Sequence, residues 1–267
     1  MINTRRFFSI GYTAIIFALF ISCKEDSKPE EKEEPVMMSF EKTAIDKSSL
    51  EQCKDSLCPT ININSLTAKG DSNLSKTVND ALNKRLTAYF IMSPEEEDQV
   101  ETLDQGIDSF IKDFRDFKTD FPETETGYEM EATTSVSYQS AALLSLAIES
   151  YSYWGGAHGY GSTSFLNFNK ETGKQLANDA LFKDKKAFLA IAEKKFRAQQ
   201  DIPADQYINY TGYMFEDDVF ALPENIGFQD NEIVLIYNPY EVAAYAEGII
   251  ELRIELNEIK DLLAVNL

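Results

Sequence analysis

The spacing of apolar residues changes along this chain from a repeat near four to a repeat of two, and that change constrains the fold more than any other feature. Leu74, Val78, Leu82, Leu86 and Phe90 recur at every fourth position, the buried stripe of an amphipathic helix. Gly70-Asp71-Ser72-Asn73 ahead of them supplies turn and cap residues. Val100, Leu103, Ile107, Phe110, Ile111, Phe114 and Phe117 form a second stripe. Ser93-Pro94-Glu95-Glu96 has the form of a capping box with proline at the first helical position, so the second helix is expected to open there. Pro122 and Gly127 end the helical region.

Beyond Gly127 the period is that of strands. Tyr128 to Tyr138 alternates Thr, Val and Tyr with other residues, and Leu144, Leu146 and Ile148 continue the pattern. Phe165 and Phe168 mark another strand, closed by the turn Lys170-Glu171-Thr172-Gly173. Thr60-Ile61-Asn62-Ile63-Asn64 is an isolated strand ahead of the helices. A third helix is expected over Lys185 to Arg197, strands at Ile233 to Tyr237 and Ile250 to Ile254, and a short helix from Glu255 burying Leu256, Ile259 and Leu263. No regular β-α-β rhythm is visible. The expected class is α+β: an antiparallel meander packed with two N-terminal helices, then a second α+β half at the C-terminus.

The N-terminus reads as an export signal. Arg5 and Arg6 precede an apolar run from Phe7 to Ile21, closed by Ser22-Cys23. The run is shorter than the about 20 residues a spanning helix needs and has the layout of a secretory signal. A cysteine directly after a small residue resembles a lipobox, which would make residues 1–22 a signal peptide and Cys23 the lipidated N-terminus. Phe20 stands where leucine is usual, and the other reading is an ordinary signal with an incidental cysteine. Lys24 to Pro35 has nine charged residues in twelve and two prolines, so residues 23–38 are expected to be a solvated, disordered tether. Cys23-Lys24-Glu25-Asp26 resembles the Lys-acidic-acidic export signal of surface lipoproteins in some Gram-negative bacteria. Outer-membrane attachment through lipid on Cys23, facing outward, is the expectation.

Charge and cysteine usage exclude several functions. The 267 residues carry a formal net charge of −20, and loss of Arg5 and Arg6 with the signal leaves 23 basic against 45 acidic residues. Nucleic acid is not an expected partner, since polyanion binding needs clustered Lys and Arg. A single histidine rules out a His-rich metal site, and no cofactor is expected. Cys53 and Cys58 enclose four residues, and in an exported protein such a pair reads as a disulfide closing a tight loop before a strand. The competing zinc reading lacks two further ligands.

One stretch carries the candidate site. His158 sits in the glycine-rich segment Trp154-Gly155-Gly156-Ala157-His158-Gly159-Tyr160, between aromatic strands. It reads as a tight turn, with Gly155 and Gly156 at positive φ and His158 bonded to backbone, or as a ligand contact, or as a catalytic base. No Gly-x-Ser-x-Gly elbow is present to supply an activated serine, although Ser162 is near in sequence. Trp154, His158, Tyr160 and Tyr240 (in the turn Asn238-Pro239-Tyr240) are the candidate ligand contacts. Tyr151 and Tyr153 are available either to them or to the core. Glu95-Glu96-Glu97-Asp98 and Glu216-Asp217-Asp218 do not follow a calcium-loop spacing and read as a helix start and a solvated loop.

Two groups of motifs carry a family resemblance. The first is Tyr153 to Gly159 with Phe165-Leu166-Asn167-Phe168, Thr172-Gly173-Lys174 and Asp179-Ala180-Leu181-Phe182. The second is Phe228, Ile236-Tyr237-Asn238-Pro239-Tyr240-Glu241-Val242-Ala243 and Tyr245-Ala246-Glu247-Gly248. Together they resemble the C-terminal domain of unknown function of RsiV-like anti-sigma factors, also found in the non-catalytic part of PdaC-like deacetylases. The preceding residues resemble the module that accompanies it. The resemblance implies an N-terminal module over 39–153 and an RsiV-like domain over 154–267. In RsiV the exported region binds lysozyme. A mature chain beginning at Cys23 keeps nothing in the cytosol to hold a sigma factor, and the chain lacks the histidines of a deacetylase centre. The expectation is a lipid-anchored binding or sensor domain of the cell envelope, not an enzyme, with lysozyme or another cationic protein as partner. The alternative is a cell-wall glycan hydrolase or transferase using His158.

Overall fold

The computed structural model describes residues 37–54, 57–92 and 100–265, together with Met1 and Leu267. The signal, Cys23, most of the tether, the Ser93-Pro94-Glu95-Glu96 helix start and the acidic run that continues to Asp98 lie outside the described residues.

Six strands form the first sheet in sequence order: β1 (Phe40–Asp46), β2 (Thr60–Ala68), β3 (Glu129–Gln139), β4 (Leu143–Tyr153), β5 (Tyr160–Asn169) and β6 (Lys174–Leu176). Every neighbouring pair is antiparallel except β2 and β3, where Thr60 lies opposite Glu129 and Asn64 opposite Thr133 in parallel. A parallel pair needs a long crossover, and the two helices α1 (Asn73–Ala88) and α2 (Leu103–Asp120) provide it. The sheet is therefore a meander only from β3 onward, and one β-α-α-β unit stands where no such rhythm was expected.

Ser72 caps α1 by accepting the Ser75 amide, as its place in the sequence implies. The second helix begins later than its apolar stripe suggests. Thr102 and Gln105 form its capping box, each side chain accepting from the other's backbone amide. Val100 is buried but precedes the helix. Its burial comes from the approach of the chain and not from the helical repeat, so the stripe overran the cap by one member.

The helices cover one face of the sheet. Val78, Leu82, Leu86, Ile107, Phe110 and Ile111 pack on Ile61, Ile63, Met130, Leu144, Leu146, Ile148 and Phe168. Cys53 and Cys58 are joined in a disulfide, with Cα atoms 5.5 Å apart, just before β2. Arg115 of α2 donates to the Gln52 and Leu57 carbonyls and so holds this loop on the helix.

The C-terminal half adds α3 (Lys185–Gln199), a three-stranded antiparallel sheet of β7 (Asn225–Gln229), β8 (Glu232–Tyr237) and β9 (Ile250–Glu255), and the short α4 (Leu256–Ile259). Phe196 of α3 meets Phe215, Phe220 and Tyr237 edge-on or tilted in its core. The buried Tyr237 hydroxyl donates to the Ala221 carbonyl at 2.7 Å. Glu216-Asp217-Asp218 is an exposed turn.

The two sheets stack on each other. Ala147, Phe165, Val234 and Ile236 form the apolar contact. Two side chains of the first sheet also satisfy backbone of the second: Ser145 Oγ accepts from Phe228 N at 3.2 Å, and Asn167 donates to the Ile226 carbonyl at 2.7 Å. The β4–β5 hairpin straddles residues 153 and 154, so strand β5 belongs to the first sheet while its inner side chains serve the second half.

Close approach between the sheets depends on Gly227, where a Cβ would lie 2.0 Å from the Phe165 ring. Gly227→Ala should lower the urea midpoint by the equivalent of about 1–3 kcal/mol, as overpacked cores do. Adding Phe165→Ala should then cost less than it does alone. Replacing both Cys53 and Cys58 by Ser should cost about 2 kcal/mol, since the closed loop is short.

Candidate functional site

Two loops meet beside the stacked sheets. One is the β4–β5 turn, where Gly155 adopts a positive φ of 78° and Gly156 does not. The other is the connection from β8 to β9, beginning at Asn238-Pro239-Tyr240-Glu241. His158 from the first loop stacks on Tyr245 from the second, with ring centroids 3.9 Å apart and planes 24° apart. Its Nε2 lies 3.2 Å from the Tyr240 hydroxyl and its Nδ1 3.0 Å from the Gly159 carbonyl. A carbonyl only accepts, so the neutral ring carries its proton on Nδ1 and takes the Tyr240 hydroxyl at Nε2. Tyr245 also donates to the Gly159 carbonyl, at 2.8 Å, and Tyr160 reaches the Pro239 carbonyl at 3.5 Å. Three rings from two distant segments, His158, Tyr240 and Tyr245, thus form one platform, and Tyr160 reaches the same loop at Pro239.

The second loop is clamped in place. The Asn238 side chain accepts from Thr163 N at 2.9 Å and donates to Thr163 O at 3.0 Å, so it pairs with β5 as a strand would. The Glu241 carboxylate accepts from Glu224 N at 2.8 Å and from Asn238 N at 2.9 Å. Between these anchors Tyr240 is held at φ 72°, a left-handed conformation that costs a bulky side chain energy. Its ring is nonetheless 58% exposed, and Tyr160 is 39% exposed. The strain is not repaid by burial of the ring; the anchors on either side maintain it.

Burial holds the Glu241 carboxyl above the ordinary range, with the Glu224 carboxylate adding to it and the two amide donors opposing. The Tyr160 hydroxyl is pushed up by burial and then by Glu241 and Glu224. The Glu241 and Glu224 carboxylates thus bear on the Tyr160 hydroxyl beside the platform.

His158, Tyr160 and Tyr240 come together as the sequence motifs suggest. Trp154 does not join them: it turns to the helix side, 4.5 Å edge-on from Phe110 and 5.9 Å from Tyr128, and serves that core. Tyr245, Asn238 and Glu241 complete the site although sequence reasoning did not single them out as contacts. Only their place in the Asn238 to Gly248 motif could have found them. Ser162 pairs with Ser150 at 2.7 Å and makes no contact with His158. Among the described residues no three His, Cys, Asp or Glu side chains stand together to hold a metal ion.

Known proteins place this geometry in a family context. A family model described as deacetylase PdaC matches residues 52–160, and one described as a protein of unknown function, DUF3298, matches residues 179–257. The two matches follow one another along the chain, the PdaC-like one first and the DUF3298 one second. Its fold is similar to the crystal structure of a DUF3298 family member from Bacteroides fragilis, with a TM-score of 0.64 and 20% identity over 86% of this chain and 95% of that one. A DUF3298 family protein from Pseudomonas aeruginosa gives a TM-score of 0.58 and 19% identity over the same shares. No curated protein matches the sequence. The platform joins the two matched regions: His158 and Tyr160 close the PdaC-like module, and Tyr240 and Tyr245 belong to the DUF3298 domain.

Glu241→Ala removes the acceptor of two backbone amides and should cost about 1–3 kcal/mol. The pH dependence has a definite sign. A carboxyl raised in the folded state contributes stability that is full below the ordinary glutamate range and is lost as pH rises through the folded value. The stability difference between wild type and Glu241→Ala, followed by urea unfolding from pH 4 to pH 8, should therefore shrink as pH rises.

Proposed function

We propose that this protein is a non-catalytic binding or sensing module of the cell envelope. It is anchored to the outer membrane through lipid on Cys23 and captures a cationic protein of the lysozyme kind. The observation that carries this reading is the platform of His158, Tyr240 and Tyr245, with Tyr160 beside it at Pro239. The platform's most exposed ring is held at a strained backbone position by anchors on strand β5 and within its own loop region. Strain maintained on an exposed side chain is a feature of recognition sites. Tyrosine is also favoured where interfaces bury large, rigid side chains.

The acid excess of the chain supports a cationic partner, because complementary charge speeds encounter and suppresses wrong partners. His158 has partners that position it: a tyrosine hydroxyl, a carbonyl and a stacked ring. Such partners suit a fixed contact residue better than a general base, which needs a reacting group within reach.

Calorimetric titration of the purified protein with hen lysozyme, alongside a lysozyme inhibition assay, tests the reading. Saturable binding that weakens with salt is expected, and Tyr240→Ala should reduce affinity about tenfold or more while leaving the fold intact. No heat and no inhibition would reject lysozyme as partner. A cell-wall-degrading activity lost in folded His158→Ala would replace the binding module with an enzyme. Labelled fatty acid incorporated in cells by the wild type but not by Cys23→Ser is the expected result for the anchor.

A further inference from the structure

The second face of the first sheet is only half covered. Near Leu143 it lies under the second sheet through Ser145, Ala147, Phe165 and Asn167. Toward the far end of β4 the same face carries Glu149, Tyr151 and Tyr153, and none of these is buried. The register sets their neighbours. Glu131 on β3 lies opposite Tyr151, Glu129 opposite Tyr153 and Thr133 opposite Glu149, with Asn62 and Asn64 of β2 in the next column. Among the described residues Glu129, Glu131 and Glu149 form no ion pair, and these rows hold no Lys or Arg. Only Glu131 has a side-chain partner, Asn62 at 3.2 Å.

This face runs directly into the platform. The Tyr151 hydroxyl lies over Gly159, where a Cβ would come within 2.2 Å of it. That contact places Tyr151 between the strand rows and the His158–Tyr245 stack. Tyr151, 37% exposed, therefore links the carboxylate-bearing strands to Tyr240 in one continuous surface.

We infer that this open sheet face is the docking surface for an arginine-bearing segment of a protein partner. The inference rests on the platform reading and names the part of the partner that is bound. Charge complementarity decides the occupant. Same-face side chains along β3 stand about 7 Å apart and neighbouring strands about 5 Å apart, so the three carboxylates and two rings lie within the span of one short segment. A guanidinium can stack on a tyrosine face and donate two parallel hydrogen bonds to a carboxylate. A neutral sugar could stack on the same rings, but it would desolvate three carboxylates without supplying a counter-charge.

The probe is an octa-arginine peptide, titrated into the full protein by calorimetry beside a Gly-Ser peptide of equal length and a chitin oligosaccharide. Glu131→Gln combined with Glu149→Gln removes two charges from exposed positions. Asp217→Asn combined with Asp218→Asn removes the same charge from an exposed turn elsewhere. The arginine peptide alone should bind, about tenfold or more weaker to the first pair and within about twofold of wild type for the second. Equal effects of the two pairs would overturn the inference, because only net charge would then matter. Binding of the oligosaccharide without the peptide would overturn it in favour of a glycan site. Lysozyme binding that depends on Tyr240 but not on Glu131 and Glu149 would overturn it while leaving the platform reading intact. Arginine-peptide binding with the expected pair dependence, but no lysozyme binding, would support it and retire lysozyme alone.

Discussion

Strand β4 is the member on which the rest of the molecule depends, because its first six residues are buried on both faces. Leu144, Leu146 and Ile148 meet the helices, while Ser145 and Ala147 meet the second sheet. A strand covered twice reads as a continuous apolar run, and Leu143 to Ile148 is nearly that, interrupted by one serine. The serine is accounted for: its hydroxyl satisfies a backbone amide of β7 that the stacking would otherwise bury without a partner. Where the double cover ends, β4 turns polar on one face, and the exposed glutamate and tyrosines begin at that point.

The same stacking creates the platform. Once Phe165 lies on Gly227, β8 is fixed relative to β5, and the loops at their ends are brought together. Asn238 then binds the backbone of β5 at Thr163, and Tyr240 and Tyr245 reach His158. The two matched modules thus share a site that neither completes alone.

Much of the architecture was legible because it rests on local chemistry. The α1 stripe with its Ser72 cap, α3, β8, β9 and the disulfide follow from periodicity, capping and cysteine spacing. The Thr102–Gln105 box that opens α2 was not picked out, because periodicity alone does not show where a stripe meets its cap, and the proline-marked box at Ser93 lies outside the described residues. The parallel pairing of β2 with β3 was missed for a related reason: strand direction depends on where the crossover helices lie, not on the strands' own pattern. Within the site, His158, Tyr160 and Tyr240 were legible as exposed-type residues in glycine- and proline-marked loops. Trp154 was drawn from the same segment, yet the chain reverses at Gly155 and sends it to the helix core.

The sequence by itself determined the α+β class, the acidic character and the tandem family-like motifs, since each is written in composition, spacing or contiguous motif. Tertiary structure alone decided which aromatic residues meet. His158 and Tyr245 are 87 positions apart, and their stacking follows from the seating of one sheet on another through a glycine too small to prevent it. It also decided which glutamates remain open on the sheet face, because burial of one half of β4 and exposure of the other depend on how far the second sheet reaches. Such contacts are long-range, and a linear pattern carries the propensity of each segment without the register between them.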